Sequence, residues 1–413
     1  MRKNYKAIFA ALIGNALEYY DVMLYGFFAT MLAPLFFPTE NGTISIISSL
    51  GTFAAGFIMR PLGGIFFGHF GDKVGRRPAL ALAIFLVTIP TFIIGILPTY
   101  AQIGAAAPII LITCRLLQGL CVGGEYSGAA IFVIEHSKKN RAAFAGSILC
   151  AAGFFGGVLG TFIGFLCTLS FMPTWAWRIP FLIGSVIGLI GYRIRTRINE
   201  SPDFLRVKDD QRNRIPLLTV LQKRRKNLLC TIGIGATSLI PFYIASVFFG
   251  HLLVAQMHVP YSQMMLINIA LNIFIMCLLP PMGMIADNIG KEKLMIFFSL
   301  SSIILAFTLV FILNDSLCVF NIILLQFILA FITAGFGAPS TALLATLFPV
   351  HERYSGVGFG YALGGALLGG TTPLIVTSLS LWLSPGLGVS SYLIVSGILG
   401  VVCVSYAEKI ENN

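Results

Sequence analysis

The chain has 413 residues, of which 57% are hydrophobic and only 10% are charged, and its formal net charge is +11. Its mean hydropathy is +0.90. A soluble domain of this length carries far more charge on its surface. Composition therefore excludes an ordinary soluble protein and favours a chain that crosses a membrane many times.

Apolar runs of about 20 residues are long enough to span a bilayer as helices, and the sequence predicts twelve of them. Their approximate ranges are 7–35, 46–70, 79–98, 106–134, 143–170, 177–196, 228–256, 261–286, 294–313, 318–348, 355–383 and 386–406. The predicted fold class is an all-α membrane protein with twelve transmembrane helices.

The basic residues follow the topology of these spans. Nearly all of the 27 Lys and Arg residues fall on one side, and the largest group runs from Arg193 to Lys226. Cytoplasmic loops carry such an excess of positive charge, so both termini are expected in the cytoplasm. The charge follows topology and does not indicate a nucleic-acid partner.

The sequence contains an internal repeat. GHFGDKVGRRPAL (68–80) returns as GMIADNIGKEKLM (283–295). The repeat pairs Gly68 with Gly283, Asp72 with Asp287, Gly75 with Gly290 and Arg76 with Lys291, and a second match pairs Arg141 with Arg353. A duplicated six-span unit is therefore expected, with halves 1–196 and 228–413 joined by a hydrophilic linker, 197–227.

Charged residues inside predicted spans are concentrated in the first half. An isolated charge at the bilayer centre costs at least ~2.5 kcal/mol and usually faces water or an opposite charge. At about 100° per residue, two helix faces emerge, on spans one and four. The face on span one carries Glu18, Asp21 and Tyr25, and the face on span four carries Arg115, Gln118 and Glu125. A further charged residue, Arg60, lies on span two.

Depth along the helices suggests how these charges meet. With a rise of ~1.5 Å per residue, Glu18 and Arg60 lie at similar depth, and Arg115 comes within reach of Asp21. The sequence does not determine which carboxylate pairs with which arginine. One interpretation makes Asp21, Glu18 and Glu125 proton carriers beside arginines that bind an anionic group, because burial raises the pKa of a carboxyl group and a nearby arginine lowers it. The alternative is a set of static ion pairs.

The second half has no charge inside its predicted spans. It offers polar side chains that could bind a substrate or join helices by hydrogen bonds. These candidates are Tyr243, Asn272, Gln326 and Tyr361.

Three motifs closely resemble the metabolite:proton symporter family of the major facilitator superfamily. They are GNALEYYDVMLYGF (14–27), RPLGGIFFGHFGDKVGRR (60–77) and RLLQGLCVGGEYSGAAIFVIEH (115–136). The resemblance implies two pseudo-symmetric six-helix halves in a bacterial inner membrane. It also implies proton-coupled import, by alternating access, of a small polar carboxylate-bearing solute such as an amino acid, betaine or organic acid.

The resemblance further implies a cytoplasmic gate. Asp72 would lie near a helix N-terminus of the opposite half, which attracts a carboxylate, and Arg76 would join a charge cluster. The predicted gate residues are Gly68, Asp72, Gly75, Arg76, Glu135, Arg141, Glu200, Asp287, Gly290 and Arg353. The plainer alternative is that these loops are basic topology signals with tight turns.

Two other functions remain open, a proton-antiport exporter of a metabolite or drug and a membrane sensor that binds solute without moving it. An enzyme is not expected, since the short loops contain no nucleophile–base or metal-ligand spacing. The expected partners are a small solute, protons and the lipid bilayer. No cofactor, metal or nucleic acid is expected, and the chain is predicted to be a monomer.

Overall fold

The computed structural model describes residues 2–40, 42–167, 171–206, 216–315 and 318–412. Every regular element in these ranges is a helix, and twelve helices have at least 18 residues when α7 and α11 are followed through their π-helical turns. They are α1 (Arg2–Phe36), α2 (Gly42–Lys73), α3 (Arg76–Ile96), α4 (Ala106–His136), α5 (Ala142–Cys167), α6 (Arg178–Arg195), α7 (Arg225–Ala255), α8 (Tyr261–Ile289), α9 (Lys291–Asp315), α10 (Val319–Thr346), α11 (Val350–Trp382) and α12 (Pro385–Asn412). The predicted all-α fold is confirmed.

The surface of the bundle suits a hydrocarbon solvent. Within the described ranges, nine helices are long and apolar enough to cross a membrane. All twelve expose large apolar side chains, and Phe311, Phe320 and Trp382 expose 68%, 72% and 88% of their surface. Water disfavours so much exposed apolar surface, whereas lipid does not. Inside, one continuous apolar core runs through both halves, from Leu17 to Ala407.

A polar segment separates the two sets of six helices. α6 ends at Arg195 and α7 begins at Arg225. Between them lie two short helices, Pro202–Leu205 and Pro216–Lys223. Residues 207–215 of the predicted linker lie outside the described residues, and the division at 197–227 stays a prediction.

The halves pack against each other through α2 on α11 and α5 on α8. These two contacts are equivalent under the sequence repeat, because α8 and α11 are the second and fifth helices of the second half. Both depend on glycine. A Cβ on Gly68 would lie 2.7 Å from the Cα of Ser355, and one on Gly283 would lie 2.9 Å from the carbonyl oxygen of Ala143. The two glycines are a pair matched by the repeat.

The turns that follow α2 and α8 are also equivalent. Gly75 and Gly290 adopt φ of 135° and 106°. Glycine reaches these angles without the steric cost that a side chain imposes. Each glycine therefore lets its chain reverse sharply into the next helix.

Candidate functional site

One end of the bundle, here called the basic face, holds the α2–α3, α4–α5 and α8–α9 connections. Asp72, near the end of α2, accepts hydrogen bonds from the backbone N–H groups of Tyr354 (3.1 Å) and Ser355 (2.8 Å). Both amides belong to the second turn of α11, which begins at Val350. The structure thus places the Asp72 carboxylate against the N-terminal part of a helix in the other half.

Asp287 makes the equivalent contact from the second half. Its carboxylate accepts hydrogen bonds from the N–H groups of Ala143 and Phe144, both at 2.9 Å. These groups belong to the first turn of α5, where N–H groups have no partner within the helix. Two matched carboxylate-to-helix contacts therefore hold the halves together at the basic face.

A buried charge cluster adds to this closure. Arg76 lies 3.2 Å from Asp72 and 3.4 Å from Glu135, and it donates to the carbonyl oxygen of Val350 at 2.5 Å. Arg353 of the second half also contacts Glu135, at 2.9 Å. Glu135 therefore bridges arginines from both halves, and the basic face is closed in this structure.

Glu200 supports the same cluster through the backbone. Its carboxylate accepts hydrogen bonds from the N–H groups of Arg76 (3.1 Å) and Arg77 (3.2 Å). A Cβ on Gly75 would collide with this carboxylate, so the glycine provides room as well as turn geometry. Arg141 lies in the 3-10 turn before α5 with an exposed side chain.

A central cavity of about 60 Å³ lies between the halves. Its aromatic lining residues are Tyr19, Tyr126, Phe154, Phe242, Tyr243 and Tyr361.

Glu18 and Arg60 both line this central cavity. Glu18 Oε2 and Arg60 Nε are buried and have no hydrogen-bond partner among the described residues. The guanidinium carbon of Arg60 lies 3.9 Å from the centroid of the Phe57 ring. Burying an ionised group without a partner is costly. Both side chains therefore line the cavity with polar atoms whose hydrogen-bonding capacity the described residues leave unused.

Asp21 and Arg115 lie in contact beside the cavity. Arg115 Nη1 is 3.5 Å from Asp21 Oδ2 and donates to Gln118 Oε1 at 2.7 Å. Gln118 donates to Thr91 (2.8 Å), whose hydroxyl donates to Asp21 (3.2 Å), which closes a ring of four side chains. A second cavity of about 10 Å³ adjoins this ring and is also lined by Arg60. The ring is thus a near neighbour of the central cavity.

Tyr25 packs against this ring and is not among the residues that line the central cavity. Its side chain is fully buried. The guanidinium carbon of Arg115 lies 4.1 Å from the centroid of the Tyr25 ring, within the range of a cation–π contact. Tyr25 therefore orients Arg115.

Glu125 has a partner that the sequence did not suggest. Arg195, in the last turn of α6, donates to both oxygens of Glu125 and to the carbonyl oxygens of Ala10 (3.1 Å) and Leu80 (2.8 Å). Because Arg195 lies at the end of a span, the sequence places it in the basic group that runs from Arg193 to Lys226. Gly14 of α1 leaves room for this pair, because a Cβ there would collide with both side chains. Glu125 has the geometry of a structural ion pair.

The second-half candidates divide between two environments. Tyr243 and Tyr361 line the central cavity. Asn272 lines a wider cavity on the other side of Tyr243. Gln326 donates to the carbonyl oxygen of Ala245 at 2.8 Å, inside the π-helical turn of α7. This hydrogen bond joins two helices, which is one of the two roles that the sequence allows for Gln326.

That wider cavity, here called the vestibule, has a volume of about 400 Å³ and lies at the end opposite the basic face. Its lining includes His251 and Tyr261, where α7 ends and α8 begins. It shares Met23 and Tyr243 with the central cavity. A small charged chamber is therefore closed on one side and adjoins a vestibule on the other, which is the geometry that alternating access requires.

The chain matches known transporters in sequence. Residues 6–227 match the family described as "Sugar (and other) transporter". A proline/betaine transporter of Salmonella typhimurium is 35% identical over 420 residues, which cover 96% of this chain and 82% of that protein. The shikimate transporter of Escherichia coli is 32% identical over 385 residues, which cover 91% of this chain and 87% of that protein.

Solved structures share the fold. The proton:xylose symporter XylE superposes with a TM-score of 0.81 at 17% identity, covering 99% of this chain and 96% of XylE. The human organic anion transporter MFSD10 gives a TM-score of 0.71 at 16% identity, covering 97% of this chain and 99% of that one.

Fold and site together define a multi-pass membrane protein of the major facilitator superfamily, a solute transporter and not an enzyme. Within that class, the chain belongs to the family of sugar and other transporters. Its resemblance to the metabolite:proton symporters is confirmed by these relatives.

Proposed function

We propose that the protein is a proton-coupled symporter that imports a small, polar, carboxylate-bearing solute across a bacterial inner membrane. The similar proteins are named for proline, betaine and shikimate, and each of these compounds carries a carboxylate. The observation that carries the proposal is the pair Glu18 and Arg60, which face the central cavity without hydrogen-bond partners for Glu18 Oε2 and Arg60 Nε in the described part of the chain.

The coupling step uses the ring beside the cavity. A carboxylate that binds at Arg60 brings negative charge close to Arg115, which lies 3.5 Å from Asp21. Competition for the arginines weakens the hold of Arg115 on Asp21, and a carboxylate that loses its cation takes up a proton more readily. Asp21 is the first candidate proton carrier and Glu18 is the second.

The basic-face contacts serve as the cytoplasmic gate. Asp72 and Asp287 each bind the N-terminal part of a helix in the opposite half. Release of the solute towards the basic face requires both contacts and the Glu135–Arg353 pair to break. With this orientation both termini lie in the cytoplasm, and one chain is a sufficient transport unit.

Proteoliposomes test the role of Asp21. Asp21→Asn removes the titrating group but keeps its shape, so uphill accumulation of labelled proline or betaine driven by a pH gradient is expected to be lost. Exchange of labelled for unlabelled solute, which needs no net proton movement, is expected to persist. Glu40→Gln, at an exposed glutamate, is the control. Undiminished uphill uptake by Asp21→Asn would refute the assignment.

The direction of proton flow distinguishes the two transport functions. Addition of solute to cells that carry the wild-type protein should make the medium more alkaline if solute and protons enter together. Acidification would identify an antiport exporter. Binding without any uptake into proteoliposomes would identify a sensor.

A further inference from the structure

Thr91 of α3 is the member of the Asp21 ring that the sequence did not single out. Its side chain is buried, and its hydroxyl oxygen accepts a hydrogen bond from Gln118 at 2.8 Å. Two acceptors lie within reach of its proton, Asp21 Oδ1 at 3.2 Å and the carbonyl oxygen of Val87 at 2.9 Å. A hydroxyl carries one donor proton, so full hydrogen bonds to both acceptors cannot form at once.

The charge of Asp21 selects between the two acceptors. An ionised carboxylate can only accept hydrogen bonds, and bonds to a charged acceptor are the stronger kind. The Thr91 proton therefore belongs on Asp21 when that carboxylate is ionised. A protonated Asp21 is itself a donor, and the hydroxyl oxygen of Thr91 has a second lone pair to accept its proton. The Thr91 proton then turns to the carbonyl oxygen of Val87.

Both charge states of Asp21 can thus keep a hydrogen-bond partner without movement of a helix. This matters because the Asp21 side chain is buried, and a buried polar group that loses its partner costs free energy. The hydroxyl oxygen of Thr91 lies closer to Asp21 (3.2 Å) than Arg115 Nη1 does (3.5 Å). Thr91 is therefore well placed to stabilise whichever form of Asp21 is present.

The charged groups that face Asp21 from other helices are two arginines. Arg115 of α4 contacts it, and Arg60 of α2 lines the same small cavity. The helix α5 contains no charged residue, and those of α3 and α6 lie in the first or last turn. Titratable side chains nearby are Glu18, Tyr20 and Cys114. The charge state of Asp21 therefore depends mainly on the two arginines and on the Thr91 hydroxyl.

We propose that Thr91 is a positioning residue for the coupling proton. Its hydroxyl turns from Asp21 to Val87 when Asp21 takes up a proton, and it turns back when the proton leaves. The proton on Asp21 then points to Thr91, and Arg115 is released to attract the carboxylate of the solute. This inference rests on the proposed role of Asp21 in coupling.

The pH profile of uptake into proteoliposomes tests the proposal. Thr91→Val keeps the shape of the side chain and removes its hydroxyl. The ionised form of Asp21 loses more than the neutral form, because hydrogen bonds to charged groups are stronger. The midpoint of the profile should therefore move up by about 0.5–1 pH unit. Thr91→Ala should show the same shift with a smaller side chain, and Thr91→Ser, which keeps a hydroxyl, should restore the wild-type midpoint.

Thr88→Val is the matched control for these variants. Thr88 is also buried on α3, and its hydroxyl donates to the carbonyl oxygen of Ile84 at 2.6 Å. The substitution removes the same atom from the same helix but leaves the Asp21 ring intact, so the midpoint should not move. An unchanged midpoint in Thr91→Val, or an equal shift in Thr88→Val, would overturn the proposal.

Infrared difference spectroscopy of the purified protein detects the same proton without transport. The C=O band of protonated Asp21 is identified by its absence in Asp21→Asn. In Thr91→Val this band should change frequency, because the acid has lost a hydrogen-bond partner, and it should appear at higher pH. These changes without proton-driven uptake would keep the hydroxyl switch and refute the symporter. Uptake that requires Asp21, with a band that ignores Thr91→Val, would keep the symporter and refute the switch.

Discussion

Two buried ion pairs in the first half have different surroundings, and their surroundings suggest different roles. Asp21 and Arg115 are separated by 3.5 Å and adjoin a small cavity. Arg195 donates two hydrogen bonds to Glu125 and further hydrogen bonds to backbone carbonyl oxygens of α1 and α3. A charge that is fully engaged by its neighbours has little to gain from a solute, so we assign coupling to the first pair and structure to the second.

The second pair can be tested by a double-mutant cycle. Arg195→Met leaves the Glu125 carboxylate buried without its cation, and loss of one partner costs about 3–5 kcal/mol. The Tm of the purified protein in detergent is therefore expected to fall sharply. The double variant Glu125→Leu/Arg195→Met removes both charges and should recover most of that Tm.

Arg178→Met is the matched control for this cycle. Arg178 is half-buried and donates one hydrogen bond, to the carbonyl oxygen of Leu97 at 3.0 Å, so its loss should lower the Tm only slightly. A double variant as unstable as Arg195→Met would contradict a purely structural pair.

At the scale of elements, the approach of α2 to α11 determines how tightly the basic face closes. A Cβ on Gly64 would lie 2.5 Å from the carbonyl oxygen of Gly358, whereas a Cβ on Gly358 would lie 3.3 Å from that of Gly64. The crossing of α2 and α11 therefore tolerates a methyl group at Gly358 better than one at Gly64.

This asymmetry gives a paired prediction. Gly64→Ala overpacks a backbone contact, which costs about 1–3 kcal/mol, and should shift the protein towards a state open at the basic face. Gly358→Ala should change it much less. The distance between spin labels at Lys138→Cys and Lys293→Cys, on opposite halves of the basic face, is expected to lengthen in Gly64→Ala only. Equal behaviour of the two variants would show that this crossing does not limit closure.

For the whole molecule, the arrangement of cavities predicts from which side of the membrane a water-soluble reagent can reach a given residue. The vestibule contains His251, while Arg77 lies on the basic face, and both side chains are exposed. In intact cells, a membrane-impermeant thiol reagent should label His251→Cys and should label Arg77→Cys only after permeabilisation. The exposed Cys277 and Cys318 are first replaced by serine. The reverse pattern would invert the proposed orientation.

Much of the candidate site could be anticipated from single helices. The spacing of Glu18, Asp21 and Tyr25 places them on one face whatever surrounds α1, and depth along the helices brought Asp21 close to Arg115. Arg195 and Gln326 could not be placed in this way. The reach of a long side chain depends on the tilt and rotation of neighbouring helices, which helical periodicity leaves undetermined.

By itself the sequence determined the number of helices, the internal repeat and the small set of charges within the membrane. It did so because hydrocarbon accepts apolar side chains almost without limit and penalises every ionised one. Only the tertiary structure decided which charges are paired, which face the central cavity, and which end of the bundle is closed. Those outcomes depend on distances of a few ångströms between helices far apart in the chain, and ion pairs and hydrogen bonds form only within such distances.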